Sequence, residues 1–236
     1  MRILVLLALL VLGGCAGTPQ KAAPESLASI RKVAVLSLTG HEFHRRYTSA
    51  TVFGNEYEKQ DISAWKIDDE YEAQLGAALA GVARLEPVRM PYERKGFYRL
   101  YEQRRPDWSA IEDEAKSVAA RHAVDALLVV VRRESPDFLA GTNQYLQGAG
   151  FYARGTGSAT PVSVMHLVAS VALIDGRTGK PLAVRDLVPL EKVPAQVART
   201  RLAELGPERV AELRAALAAL PRDAWEPTLR AMLAPK

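Results

Sequence analysis

Residues 168–183, VASVALIDGRTGKPLA, carry the clearest structural instruction in the chain. From Val164 to Ile174 apolar side chains fall on every second position, with Leu167, Ala169, Val171 and Leu173 on one face, the period of a β-strand. Asp175-Gly176-Arg177-Thr178-Gly179-Lys180 then supplies turn chemistry: Asp accepts local backbone bonds and Gly tolerates positive φ. Leu182 to Val188 returns as the second arm of a hairpin.

Working outward from the hairpin, Ala126–Val131, ALLVVV, is apolar without alternation and reads as a strand covered on both faces. The helix before it is opened by Ser109-Ala-Ile-Glu112, which matches a capping box, and carries Ile111, Ala115, Val118 and Ala119 as its buried stripe. Leu85 to Met90 is a short strand. Asp68-Asp69-Glu70 open an earlier helix with Ile67, Tyr71, Leu75, Leu79 and Val82 at helical spacing, three acids complementing the positive helix end. Arg31–Leu38 is a first strand closed by Thr39-Gly40. Residues 41–65 and the Gly-rich stretch around 140–161 read as loops, with Gly148, Gly150, Gly155 and Gly157 as loop glycines. Beyond about residue 193 the pattern turns helical, with Val193, Val197, Leu202 and Leu205 in one stripe. Gly206-Pro207 breaks it; Val210, Leu213, Leu217 and Leu220 form a second, and Pro221 separates a short terminal helix. The order predicts an α/β fold, a mixed sheet with helices packed on it and a helical C-terminal segment.

The beginning of the chain gives an address. Met1-Arg2, the apolar run Ile3–Leu12 and the small residues Gly13-Gly14 have the form of a secretory leader. The run is too short for a bilayer-spanning helix, which needs about 20 apolar residues. Leu12-Gly-Gly-Cys15 resembles the lipobox of bacterial lipoproteins. Cys15 is the only cysteine in 236 residues, so no disulfide or thiolate metal site competes for it. The resemblance implies cleavage after residue 14, a diacylglycerol thioether on Cys15, and a further acyl chain on the new N-terminus. Together these acyl groups suffice for stable anchoring. Ala16 in place of Asp implies transfer to the outer membrane, periplasmic face. Residues 15–29 then form the lipidated N-terminus and a polar, Pro-containing tether, and 30–236 a single periplasmic domain. Lys and Arg total 31 against 27 Asp and Glu, a net +4 that singles out no partner.

Three segments, RKVAVLSL, AARHAVDALLVVV and VASVALIDGRTGKPLA, resemble in order the small periplasmic α/β lipoprotein domains of the bacterial envelope. These are the group of the curli-secretion lipoprotein, the lipoprotein activators of penicillin-binding proteins and the N-terminal domain of the Tol-Pal translocation protein. The resemblance covers about half of the mature chain and implies a non-catalytic protein that binds or supports another envelope component. It departs from the pore-forming member, because no pair of long amphipathic strands with a lipid face is present.

No catalytic motif survives inspection. His41 and His44 are three apart, not the four of H-E-x-x-H, and Arg45 and Arg46 oppose a cation, so no metal is expected. Ser63-Ala-Trp-Lys66 matches S-x-x-K without its companion elements. Gly179-Lys180 lacks the remainder of a phosphate loop. No cofactor is expected, and a secreted address argues against nucleic acid for the basic, aromatic segment Arg89–Arg105, which reads as a solvated basic face with its aromatics turned inward. His41, His44, Arg45, Arg46 and Tyr47 are the candidate partner- or anion-binding residues. Two alternatives stay open: a cell-envelope hydrolase or transferase with its site in loop 41–65, and a lipoprotein that senses a small ligand.

Overall fold

The computed structural model describes residues 27–49, 52–83, 85–101, 103–155 and 161–233. The leader, Cys15 and the tether to residue 26 lie outside the described residues. The predicted hairpin is the spine of the fold. Its first arm is β8 (Val162–Asp175) and its second β9 (Pro181–Leu187), continued along the same edge by β10 (Leu190–Lys192). The turn is closed by Asp175, whose Oδ1 accepts from Arg177 N (2.7 Å) and Thr178 N (3.1 Å). Gly179 has φ +71°, and a Cβ there would lie 2.1 Å from the Glu112 carbonyl oxygen, so glycine is required on both counts.

The opposite edge of β8 is shared by two strands in succession. Its C-terminal half pairs with β5 (Ala126–Arg132), which continues in parallel to β1 (Lys32–Leu38) and β4 (Glu86–Arg89). Its N-terminal half pairs with β7 (Tyr145–Arg154), which continues to β2 (Glu42–Thr48) and the edge strand β3 (Glu56–Asp61). A short β6 (Glu134–Pro136) pairs with the start of β7. The mixed sheet therefore follows the path β3-β2-β7-β8-β5-β1-β4, and divides where β5 ends and β7 begins. Both halves run antiparallel to β8, so the molecule has two poles. Val33, Ala126 and Asp175 mark one pole, where residues 27–31 lead into β1; Thr48, Arg154 and Val162 mark the other. With 14 residues in β8, the poles stand about 40 Å apart at a strand rise of about 3.3 Å.

Most of the helices cover one face of this sheet. α1 (Ile67–Ala83) lays Ile67, Tyr71, Leu75 and Leu79 on Val33, Val35, Leu128 and Val130. Beside it pack α4 (Pro207–Ala219), through Leu213 and Leu217, and α5 (Arg222–Leu233), through Trp225, Leu229 and Met232. Trp225 meets Tyr71 edge-on at 5.9 Å, and the Tyr71 hydroxyl donates to the Leu217 carbonyl at 2.8 Å, which joins the three helices. On the other face of β1 and β5, Ala34, Leu36, Leu127 and Val129 are covered by Phe97 and Leu100 of a 3-10 run, Pro91–Tyr101, and by α2 (Glu112–His122) through Ala115 and Val118. ALLVVV is buried throughout, as its unbroken apolarity requires.

Four expectations are corrected. Residues 41–65 are not a loop but the strand pair β2 and β3, linked and followed by 3-10 turns at Val52–Gly54 and Ser63–Trp65. Hydropathy hid them because β2 buries polar side chains and β3 is a charged edge. The glycines at 148 and 150 are strand residues of β7. α2 is not capped by Ser109: Asp107 accepts from Ser109 N (3.1 Å) and Ser109 Oγ (2.6 Å), opening a 3-10 turn at Trp108 that leads into the helix. A carboxylate is the stronger acceptor, so the cap moves to it. Finally, α3 (Ala195–Arg199) ends after five residues where Thr200 is extended, so the stripe through Val197 and Leu202 is not continuous; Ala198 is buried and Val197 is not.

Candidate functional site

The five nominated residues do not form one surface. His41 precedes β2, and the strand alternation sends His44 and Arg46 to one face and Arg45 and Tyr47 to the other. Arg45 is buried: its Nε donates to Glu58 and its Nη1 to Glu56, each at 2.9 Å, and Nη1 also donates to the Arg199 carbonyl in α3. Arg199 in turn sits over the Tyr47 ring at 4.4 Å. These contacts brace the β2–β3 hairpin against the helical layer.

On the opposite face, polar side chains gather where the sheet divides. Glu42 pairs with Arg132 at the end of β5 and with Lys59 of β3 (2.5 Å), and these partners hold its carboxyl down to about 2 against the effect of burial. His44 and His166 stand in one row across β2, β7 and β8, with Gly150 between them. His166 Nδ1 donates to the Gly148 carbonyl (3.1 Å), which places the proton on that nitrogen. His44 Nδ1 meets the Tyr57 hydroxyl at 2.8 Å; its Nε2 is buried without a hydrogen bond, 3.7 Å from Glu42. Burial lowers His44 to about 3 and His166 to about 4, so both rings are neutral at pH 7. Beside them is a cavity of about 10 Å³, lined by residues including Arg46, Tyr57 and Tyr145, the volume of a single water. Among the described residues no group of three or more His, Cys, Asp or Glu comes together to hold a metal ion.

The carboxyl end of β1, where ligands sit in open α/β sheets, is filled from within. Asp68 Oδ1 accepts from Ser37 Oγ (2.6 Å), Thr39 N (2.8 Å) and Gly40 N (3.1 Å), tying the start of α1 to the β1–β2 link. Glu72, wholly buried, accepts from Ser37 N (3.0 Å) and Arg94 Nε (2.7 Å), and Arg94 also reaches Asp69 at 2.6 Å. Two of the three acids at the start of α1 are therefore tertiary ligands, not only partners of the helix dipole. Burial pushes the Glu72 carboxyl up, and Arg94 only partly offsets it. Arg94→Leu, which strands that carboxylate, is expected to cost about 3–5 kcal/mol in urea unfolding, while Arg94→Leu with Glu72→Leu recovers most of the loss. In the segment 89–105, Arg89, Lys95, Arg99, Arg104 and Arg105 are exposed and Phe97 packs inward, as a solvated basic face requires; the exceptions are Arg94, which is half-buried, and Tyr92 and Tyr98, which are exposed.

Ser63 of the S-x-x-K match is exposed in a 3-10 turn and donates its backbone N–H to Asp61; Lys66, with φ 55°, closes the turn. The features left open to solvent lie at the poles and flanks. Phe53, at the tip of the β2–β3 hairpin, is 97% exposed. Tyr57 is 51% exposed with Arg46 over its ring at 4.7 Å, and Tyr145 carries Arg104 at 4.8 Å. At the tether pole a cleft of about 440 Å³ opens between α2 and the β8–β9 turn. Sequence reasoning missed Phe53 and Tyr57, whose only signal was an aromatic pair inside an otherwise charged stretch.

No family model matches the chain, and no curated protein matches it. Solved structures similar to it include the PelC dodecamer from Paraburkholderia phytofirmans, at 12% identity over 89% of this chain and 95% of that one, TM-score 0.38. A second is the lipoprotein GNA1162 from Neisseria meningitidis, at 13% identity over 79% of this chain and 94% of that one, TM-score 0.29. A third is a Xanthomonas campestris protein of the family-model DUF330, at 9% identity over 85% and 81%, TM-score 0.38. Among the described residues no helix is long and apolar enough to cross a membrane.

Proposed function

We propose that this chain is a lipid-anchored periplasmic lipoprotein of the bacterial outer membrane that, without catalysing a reaction, holds or supports another envelope protein. We further place the docking point at the hairpin pole. The observation that carries the reading is Phe53, almost fully exposed on the tip of a hairpin whose base is clamped by Arg45, Glu56, Glu58 and Arg199. An apolar ring held out on a braced arm is an anchor for a partner's pocket. The tether enters at the opposite pole, so an acylated Cys15 would leave this tip facing away from the membrane. The α/β architecture, a mixed sheet with helices packed on it, supports an envelope lipoprotein-like fold. Glu42, His44 and Arg45 are engaged within the strand pair, which favours binding over the alternative of a hydrolytic or transferase site in 41–65.

Two measurements test this. Mass spectrometry of the mature native protein should show acyl mass on Cys15, absent in Cys15→Ala; an unmodified cysteine overturns the anchor. A photo-crosslinker placed at Asn55 in cells should trap an envelope protein, and Phe53→Ser should weaken that capture by about 30-fold, the scale of a lost aromatic anchor. Recovery of the monomer alone overturns the docking point.

A further inference from the structure

The tether pole carries a surface that the partner-binding reading does not use. The cleft there is floored by Ile30, Ala119 and Val124 and bounded by Lys116 on α2 and Arg177 in the β8–β9 turn. Two carboxylates also line it, but both are turned to backbone amides. Asp125 Oδ2 accepts from Arg31 N (2.8 Å) and Lys32 N (2.9 Å), and Asp175 Oδ1 from Arg177 N and Thr178 N. The cations are loosely held: Arg177 is 86% exposed with its Nε 4.0 Å from Asp175, and Lys116 pairs with the exposed Asp113, surface pairs of little strength. Ser29 and Ile30 form part of the wall, so the chain leading to Cys15 leaves beside the cleft. Eleven residues, 16–26, separate Cys15 from Leu27 and span at most about 40 Å. An anchor of that length keeps this pole within reach of the bilayer.

We propose that the cleft receives the phosphate headgroup of an anionic phospholipid from the membrane that holds Cys15, with Lys116 and Arg177 on the phosphate and the apolar floor against the glycerol. The proposal rests on the anchor reading above and orients the molecule, hairpin tip outward. Each basic side chain beside an anionic leaflet raises occupancy about fivefold, so the two together contribute about 25-fold. The attraction fades within a Debye length of about 8 Å at physiological ionic strength, which makes the short tether a condition of the site.

The test uses the acylated full mature chain in nanodiscs of phosphatidylcholine with and without phosphatidylglycerol, read by hydrogen exchange. Peptides covering 112–125 and 175–180 should slow several-fold only when the anionic lipid is present. Lys116→Glu with Arg177→Glu should abolish that protection while leaving acyl mass, membrane attachment and crosslinking from Asn55 unchanged. Equal protection in both lipids, or protection that survives the double charge reversal, overturns the site. Protection already present in lipid-free detergent assigns the cleft to residues 16–26 instead, and protection restored by inorganic phosphate alone assigns it to a free anion. Absence of acyl mass is a different failure, because it removes the anchor reading itself.

Discussion

Gly150→Ala is expected to cost more than about 4 kcal/mol, a loss reserved for backbone clash, buried charge and large cavities. Gly150 sits in β7 between His44 of β2 and His166 of β8. A Cβ built there lies 2.0 Å from the His44 carbonyl oxygen and 3.2 Å from its Cα. The obstacle is backbone, so no rotamer change relieves it; β2 must move away from β7 and carry the hairpin with it. For a domain of this size 4 kcal/mol corresponds to a fall in Tm of about 8–16 °C. Gly141→Ala is the control. Unlike Gly150 it has positive φ, +64°, but nothing lies within 4 Å of its Cβ position, so its cost should stay near that of conformational strain alone. Equal losses at the two positions would refute the close approach of β2 to β7.

Acid should destabilise the same region. His44 and His166 are held near 3 and 4 in the folded protein, by burial first and by neighbouring cations second. In the unfolded chain both return to about 6.5. Between those limits the unfolded state binds protons that the folded state refuses, so stability falls as pH drops below 6.5 and is fully present above it. His166 alone accounts for about 3 kcal/mol across that window, and His44 adds a loss of the same sign. Glu42, held near 2 by Lys59 and Arg132 against burial, extends the loss below about 4.5. Urea midpoints measured from pH 7 to 4 should therefore fall steeply, and His166→Gln should remove a large part of the slope above pH 4.5. An unchanged slope in His44→Gln/His166→Gln would show that these rings are not the groups responsible. The β2–β7 half of the sheet, where the rings are buried, should lose hydrogen-exchange protection before the β1–β5 half does.

These two results bear on the same structural fact. Where the sheet divides, strands that diverge from one another leave a space that the chain fills with polar groups, not with an apolar core. At that place Glu42 pairs with Arg132 and Lys59, His44 with the Tyr57 hydroxyl and His166 with the Gly148 carbonyl, with Gly150 giving the room.

The chain's own order of residues was enough to determine the hairpin Val164–Val188, the buried strand ALLVVV, the two helices that precede it in sequence and the α/β class. In each case one short-range pattern, period two, period 3.6 or a turn residue, coincided with what the core required. It also supplied the expectation of an acylated Cys15, which depends on local chemistry alone. Only tertiary structure decided that 41–65 is a strand pair. Glu42 is half-buried against Arg132 of β5, and His44 and Arg45 are buried, the latter bonded to Arg199 of α3, 154 positions away in sequence. A window along the chain sees their charge and reads solvent. The same holds for Glu72, whose burial on α1 makes sense only with Arg94, and for the two poles, which exist because β8 is long enough to pair with β5 and β7 one after the other. Hydropathy reports the preference of a residue taken alone, whereas burial of a charged group depends on a partner that the fold alone brings to it.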